Sequence, residues 1–147
     1  MKIIVRDRRQ GKTTELINWL LRGKPQPQTY PSWSRVMVCT TNQEVIRVSR
    51  EVRRAIMALP NPTAWLCERS APHLGDRCAD AHNHTITQIC NGVWSLKDLS
   101  FNVMGSSKNF AYVVDDADFL LQAGNIPMGY PPYAITVTGE RVADLCD

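Results

Sequence analysis

Lys2-Ile3-Ile4-Val5 runs into Arg6-Asp7-Arg8-Arg9-Gln10-Gly11-Lys12-Thr13-Thr14, and that loop runs into Glu15-Leu16-Ile17-Asn18-Trp19-Leu20-Leu21. A short apolar strand, a tight polar loop and an apolar-periodic helix follow one another. Residues 2–6 are expected as a buried strand. Residues 12–22 are expected as a helix, with Leu16 and Leu20, and Ile17 and Leu21, on adjoining i, i+4 rows. Gly-Lys-Thr at the entrance of a helix suits a phosphate group. Backbone N–H groups and the helix N-terminus surround phosphate oxygens. Gly11 lets the backbone come close to them. Lys12 reaches the outer phosphates, and the Thr13 hydroxyl sits on Mg²⁺. The full pattern is G-x-x-x-x-G-K-[ST], and here Arg6 stands at the first glycine position. The competing reading is a basic turn that caps a helix, with Lys12 solvated.

Downstream, strands and helices alternate. Gly23 is a helix stop, and Lys24-Pro25-Gln26-Pro27-Gln28 reads as a loop. Residues 35–40 read as a strand, and Thr41-Asn42 can cap a helix over about 43–59. That helix has an apolar stripe of Val45, Val48, Val52, Ala55 or Ile56, and Leu59. Its other face carries Arg47, Arg50 and Arg54, with Arg53 nearby. Pro60-Asn61-Pro62 ends it. Residues 63–84 carry no clear period. Residues 85–90 and 93–96 flank Asn91-Gly92, which predicts a two-residue β-hairpin. Residues 111–114 read as a buried strand ending in Asp115-Asp116, followed by a short helix to about Gln122 and by Gly124. Residues 133–138 are the last clear strand. The expectation is an α/β domain over 1–147 with a mostly parallel sheet and a hairpin-bearing insertion over 63–110. In such sheets ligands bind beyond the carboxyl ends of the strands. The polar clusters at 6–13, 115–116 and 138–141 all fall at such ends.

An apolar strand ending in two carboxylates suits Mg²⁺ beside a phosphate. Asp115 would hold the ion directly or through water. Asp116 would orient or deprotonate an attacking water. The competing reading is an acidic pair that begins a helix, where the helix dipole favours it.

These segments together resemble a known family. Asp7-Arg8-Arg9-Gln10-Gly11-Lys12-Thr13 resembles the phosphate loop of phage terminase large-subunit ATPases. Phe110-Ala111-Tyr112-Val113-Val114-Asp115-Asp116-Ala117, with Gly105 ahead of it, resembles their acidic strand. Asn91-Gly92-Val93-Trp94-Ser95-Leu96 resembles the hairpin they place before it. Ile135-Thr136-Val137-Thr138-Gly139-Glu140 sits where they carry a coupling strand. Helicase ATPase cores share much of this plan. The resemblance implies a three-layer P-loop NTPase fold of the RecA-like, additional-strand type. It implies ATP with Mg²⁺, Arg8 stabilising the transferring phosphate with Arg9 as second choice, and Thr138 in the coupling motif. Arg9, Gln10, Gly11, Lys12, Thr13 and Thr14 would line the phosphates, and Thr13 and Asp115 the metal. Asp116 stands where the family usually has Glu. The expected function is nucleoside triphosphate hydrolysis, with DNA as a candidate partner. The alternatives are a nucleotide-gated binding module with weak turnover and a small P-loop kinase. Against the kinase, the late segment holds only Arg141, where an arginine-rich lid is expected.

Composition sets outer bounds. The 44% hydrophobic and 21% charged content suits a globular chain with a full core, and the net charge of +3 does not by itself demand nucleic acid. Five cysteines, at 39, 67, 78, 90 and 146, are an odd number. With a first strand at residue 2, they lead to the expectation of reduced thiols in the cytoplasm, that of the host if the chain is phage-encoded. No apolar run reaches membrane-spanning length. His82, His84 and Cys78 are candidate zinc ligands, although their spacing matches no finger pattern. Trp33, Trp65 and Trp94 are candidates for base stacking or for core. A lone motor-type domain leads to the expectation of a homo-oligomer or of other protein subunits, with Arg141 or a loop arginine acting across an interface.

Overall fold

A computed structural model describes residues 2–6, 11–26, 28–70, 78–103, 110–118 and 132–138, the side chains of 78–80, 100–103, 137 and 138 excepted. Its elements are β1 (Lys2–Arg6), α1 (Lys12–Leu21), β2 (Arg35–Cys39), α2 (Asn42–Met57), α3 (Pro62–Arg69), α4 (Cys78–Cys90), β3 (Val93–Ser95), α5 (Leu96–Val103), β4 (Ala111–Val114) and β5 (Ala134–Thr138). All strand pairs are parallel, in the order β1-β5-β4-β2-β3. The last strand is thus inserted between the first and the fourth.

The central strands are apolar on both faces, as a strand covered from both sides must be. Met37, Cys39 and Val113 join Leu16, Leu20, Val48, Val52 and Ile56 in one buried cluster. Val36, Val38, Tyr112 and Val114 join Trp94 and Leu99 in another. Successive residues of β2 alternate between the clusters, as the pleat requires. Helices α1 and α2 therefore cover one face, and α5 covers the other.

Local chemistry explains the helix ends. The Thr41 hydroxyl accepts from Glu44 N at 3.2 Å and caps α2. Asn61 accepts from Ala64 N at 3.1 Å and caps α3, with Pro62 in its first turn. At the end of α1, Gly23 does more than stop a helix. A Cβ there would lie 2.4 Å from Trp33 Nε1, and that nitrogen donates to Leu20 O at 2.9 Å. Trp33 is fully buried, so it has nowhere to retreat. Gly23→Ala is expected to cost about 1–3 kcal/mol by overpacking, read as a lower urea midpoint. An unchanged midpoint would contradict this packing.

Two sequence expectations need correction. The hairpin at Asn91-Gly92 does not exist. Residues 85–90 belong to α4, where Ala81, Thr85 and Ile89 are buried one turn apart. Asn91 N donates to Thr87 O at 2.8 Å and Gly92 N to Ile89 O at 3.0 Å, so these two residues close the helix. β3 does form, but it pairs with β2 in parallel. Residues 62–103 accordingly supply three helices and an edge strand. The second correction concerns β1, which is an edge strand of the described sheet. Its Ile4 is buried, whereas Ile3 and Val5 are about half exposed, at 52% and 49%. The other strands and both early helices lie where their periods put them. The expected short helix to Gln122 lies outside the described residues beyond Asp118, as do Gly105 and Gly124.

Candidate functional site

Because all strands run parallel, their carboxyl ends share one edge of the sheet. β1 ends at Arg6, in register with Thr138 of β5. β4 ends at Val114, in register with Val38 of β2. At this edge the start of α1 meets the acidic pair that follows β4.

Gly11 is the N-cap of α1 with φ 76° and ψ 20°. This left-handed conformation costs a side-chain-bearing residue roughly 1–2 kcal/mol. The backbone conformation itself calls for glycine; among the described residues a Cβ would meet only Arg6 Nη1, at 3.9 Å. Lys12 follows with its side chain 9% exposed, and its Nζ lies 3.5 Å from Asp116 Oδ1. Thr13 Oγ1 donates to Asp115 Oδ2 at 2.8 Å, across 102 residues of sequence. Thr14 is exposed in the first turn. Arg6 pairs with Glu15 at 2.7 Å, and Lys2 with the same carboxylate at 2.9 Å. The hydrogen bond from Lys2, with the charge of Arg6, holds the Glu15 carboxyl below its usual range despite some desolvation.

The acidic pair is held by a residue that sequence reading passed over. Thr136 of β5, fully buried, donates its hydroxyl to Asp115 Oδ1 at 2.6 Å and accepts from Asp116 N at 2.9 Å. One hydroxyl thus orients the first carboxylate and fixes the backbone of the second. Asp115 N donates to Val38 O, and Ala117 N to Thr136 O, at 2.9 and 2.8 Å. The turn after β4 is pinned to both neighbouring strands. Asp116 adopts φ 50°, a left-handed conformation that Asp tolerates better than most residues. A threonine inside a strand raises no alarm in sequence because Thr is a good strand former. Only its burial beside a carboxylate marks it. Thr136→Val would keep the shape and leave the buried Asp115 carboxylate and the part-buried Asp116 N–H without this partner. We expect a loss of about 2–4 kcal/mol by chemical denaturation. A cost under about 0.5 kcal/mol, the range of neutral surface changes, would contradict the role.

The two carboxylates sit in different surroundings. Asp115 is 3% exposed and hydrogen-bonded at both oxygens. Desolvation, then the charge of Asp115, push the Asp116 carboxyl above its usual range, against the pull of Lys12. Asp118, also buried, adds a smaller push in the same direction. Cys39, at the end of β2, is pushed up to about 12 by burial and then by Asp115. Its thiol stays neutral and is a poor ligand here. Thr13 and Asp115 are hard oxygen donors on facing elements, the set Mg²⁺ takes from a protein before phosphate and water complete its shell.

Lys12, Thr13, Asp115 and Asp116 are thus brought together, with Gly11 beside them. Arg8, Arg9, Gln10, Gly139, Glu140, Arg141 and the side chain of Thr138 lie outside the described residues. So does the side chain of Cys78. Of the zinc candidates, His82 and His84 stand two residues apart on α4, which directs these two rings to different sides. The His82 ring meets Cys67 of α3 instead, with Nε2 and Sγ 3.2 Å apart. Among the described residues, no group of three or more His, Cys, Asp or Glu is placed to hold a metal ion. On α2, Arg47 pairs with Glu44 and Arg54 with Glu51, at 2.7 and 2.8 Å. Trp33 and Trp94 are core residues, and Trp65 lies under the Arg69 guanidinium. No described helix is long and apolar enough to cross a membrane. No protein-family model matches the chain, and comparison with curated proteins finds no match.

Proposed function

We propose that this chain binds a nucleoside triphosphate, with ATP the first candidate, as its Mg²⁺ complex and hydrolyses it. The observation that carries the reading is the meeting of Lys12 and Thr13 with Asp115 and Asp116 at the carboxyl edge of a parallel sheet. The strand order supports it: β5 lies between the strand that precedes the loop and the strand that ends in the acidic pair. This places Thr136 of β5 against the acidic pair and sets β5 beside the strand that enters the loop.

The chain's own groups have distinct tasks. The N-terminus of α1 faces the phosphates with its N–H groups and the positive end of its dipole. Lys12 leaves Asp116 for the outer phosphate oxygens and neutralises charge that grows in the transition state. Thr13 and Asp115 would hold Mg²⁺, which supplies charge neutralisation and alignment of the β- and γ-phosphates when bound. Thr136 keeps the Asp115 carboxylate aimed at that position. Asp116, released from Lys12, accepts a hydrogen bond from the attacking water and receives its proton. Its raised affinity for a proton suits a base better than an ordinary aspartate.

A second reading has its own observation. Asp116 sits in a constrained backbone conformation and is tied to Lys12, and its side chain is one methylene shorter than glutamate. A module that binds nucleotide and turns it over slowly, within a larger assembly, would tolerate that arrangement. Phosphate release from ATP and GTP, with Mg²⁺ and with or without single- and double-stranded DNA, separates the readings. Turnover that rises with DNA supports a motor-type ATPase. Tight binding without release supports the binding module. Neither binding nor release removes both.

A further inference from the structure

A second pair of reactive groups lies far in sequence from the phosphate site. Cys67 on α3 and His82 on α4 face each other with Sγ and Nε2 3.2 Å apart. The pair is one rung of a seam. One turn further on, Ser70 Oγ and Thr85 Oγ1 lie 3.1 Å apart. Ser70 Oγ also donates to Leu66 O at 2.7 Å, and Thr85 Oγ1 to Ala81 O at 3.0 Å. Leu66, Ile86 and Ile89 are buried in the main core cluster and anchor both helices. The thiol and the imidazole therefore meet because two packed helices hold them in register.

The described cysteines differ in access. Cys39 is buried and its thiol is pushed up to about 12. Cys90 is half-buried, and burial pushes its thiol up as well. Cys67 is exposed, and its sulfur has a ring nitrogen of His82 at hydrogen-bond distance. Cys67 lies in the second half of an eight-residue helix, so the helix dipole works against a thiolate there. The imidazole beside it is a neighbour that can exchange a proton with the thiol.

We propose that Cys67 and His82 form a thiol–imidazole site that takes up low-molecular-mass disulfides by thiol–disulfide exchange. His82 Nε2 accepts the Cys67 proton. The thiolate attacks one sulfur of the disulfide, forming a new S–S bond to Cys67 as the old S–S bond breaks. The second sulfur leaves as a thiolate and takes the proton back from the imidazolium. Cys67 is oxidised to a mixed disulfide, and the departing half of the reagent is reduced to a thiol.

The probe is glutathione disulfide, added to the full chain and followed by intact mass and peptide mapping. Cys67 is expected to take up one glutathionyl group about tenfold faster than in His82→Gln, since thiolate fraction governs the rate. Cys67→Ser should lose the fast adduct. In urea the difference between wild type and His82→Gln should vanish, because the seam no longer holds the pair together. His82 is partly exposed, and far-UV circular dichroism of His82→Gln checks that the helices persist. Equal rates at Cys67 in folded wild type and folded His82→Gln would overturn the proposal, as would the absence of any Cys67 adduct.

Discussion

Lys12→Ala is expected to cost most of the affinity for nucleoside triphosphate. The Lys12 side chain is 9% exposed and comes from the first residue of α1, so its ammonium acts in a site with little water. Removing one partner of a buried, hydrogen-bonded charge pair costs about 2–5 kcal/mol. At about 1.4 kcal/mol per tenfold, that is a loss of roughly 30- to several-thousand-fold in affinity. The variant should keep its fold, because the alanine is a strong helix former and the apolar stripe of α1 is untouched. Calorimetric titration of Lys12→Ala with Mg·ATP, next to its thermal unfolding curve, reads both effects. Wild-type affinity in a folded variant would take Lys12 out of the nucleotide site.

Asp116→Asn should separate three properties. Turnover should fall by about 10²- to 10⁴-fold, the usual worth of a positioned general base. Nucleotide affinity should rise modestly, because Lys12 no longer has a carboxylate competing with phosphate for it. Stability should rise near neutral pH, and here the sign follows from linkage. Burial and Asp115 raise the Asp116 carboxyl above its usual range, so folding favours the protonated form. That contribution is fully present below the unfolded value and is lost as pH rises through the folded one. An asparagine stays neutral throughout and also suits the left-handed backbone at this position. The gain over wild type should therefore be largest near neutrality and fade as pH falls below the carboxyl range. Asp116 is about half exposed, so solvent screening keeps the gain small. Thermal unfolding of both proteins across pH checks the trend. A gain that grows on acidification would contradict the assigned direction.

Much of the arrangement could be read in advance where local rules agree. α2 has a capping threonine, a clean apolar stripe and a proline-rich stop, and it forms as expected. Residues 36–39 of β2 and 112–114 of β4 are uninterrupted apolar runs, and they form the doubly covered part of the sheet. Misreadings arose where local signals conflict. Thr85-Ile86-Thr87 is β-branched and precedes Asn-Gly, which together mimic a hairpin. The helical spacing of Ala81, Thr85 and Ile89 outweighs that signal once α4 packs beside α2 and α3. For β1, an apolar run says that a strand forms, but it does not say which place in the sheet it takes. Edge position leaves Ile3 and Val5 half covered.

The site divides the same way. Gly11-Lys12-Thr13 and Asp115-Asp116 are contiguous and carry their chemistry in their order. Thr136 reaches the site only through a register that sets β5 against β4. The Cys67–His82 pair depends on how two helices pack, and neither residue has a local signature. Such contacts across long stretches of sequence are products of topology and leave no periodic trace.

The central claim is that this edge of the sheet holds a Mg·nucleotide. Isothermal calorimetry of the wild-type chain with ATP, with and without Mg²⁺, tests it most directly. Saturable one-to-one binding is expected that strengthens with Mg²⁺, weakens in Asp115→Asn and falls at least about 30-fold in Lys12→Ala. Absence of binding at millimolar Mg·ATP, or binding indifferent to both substitutions, would contradict it.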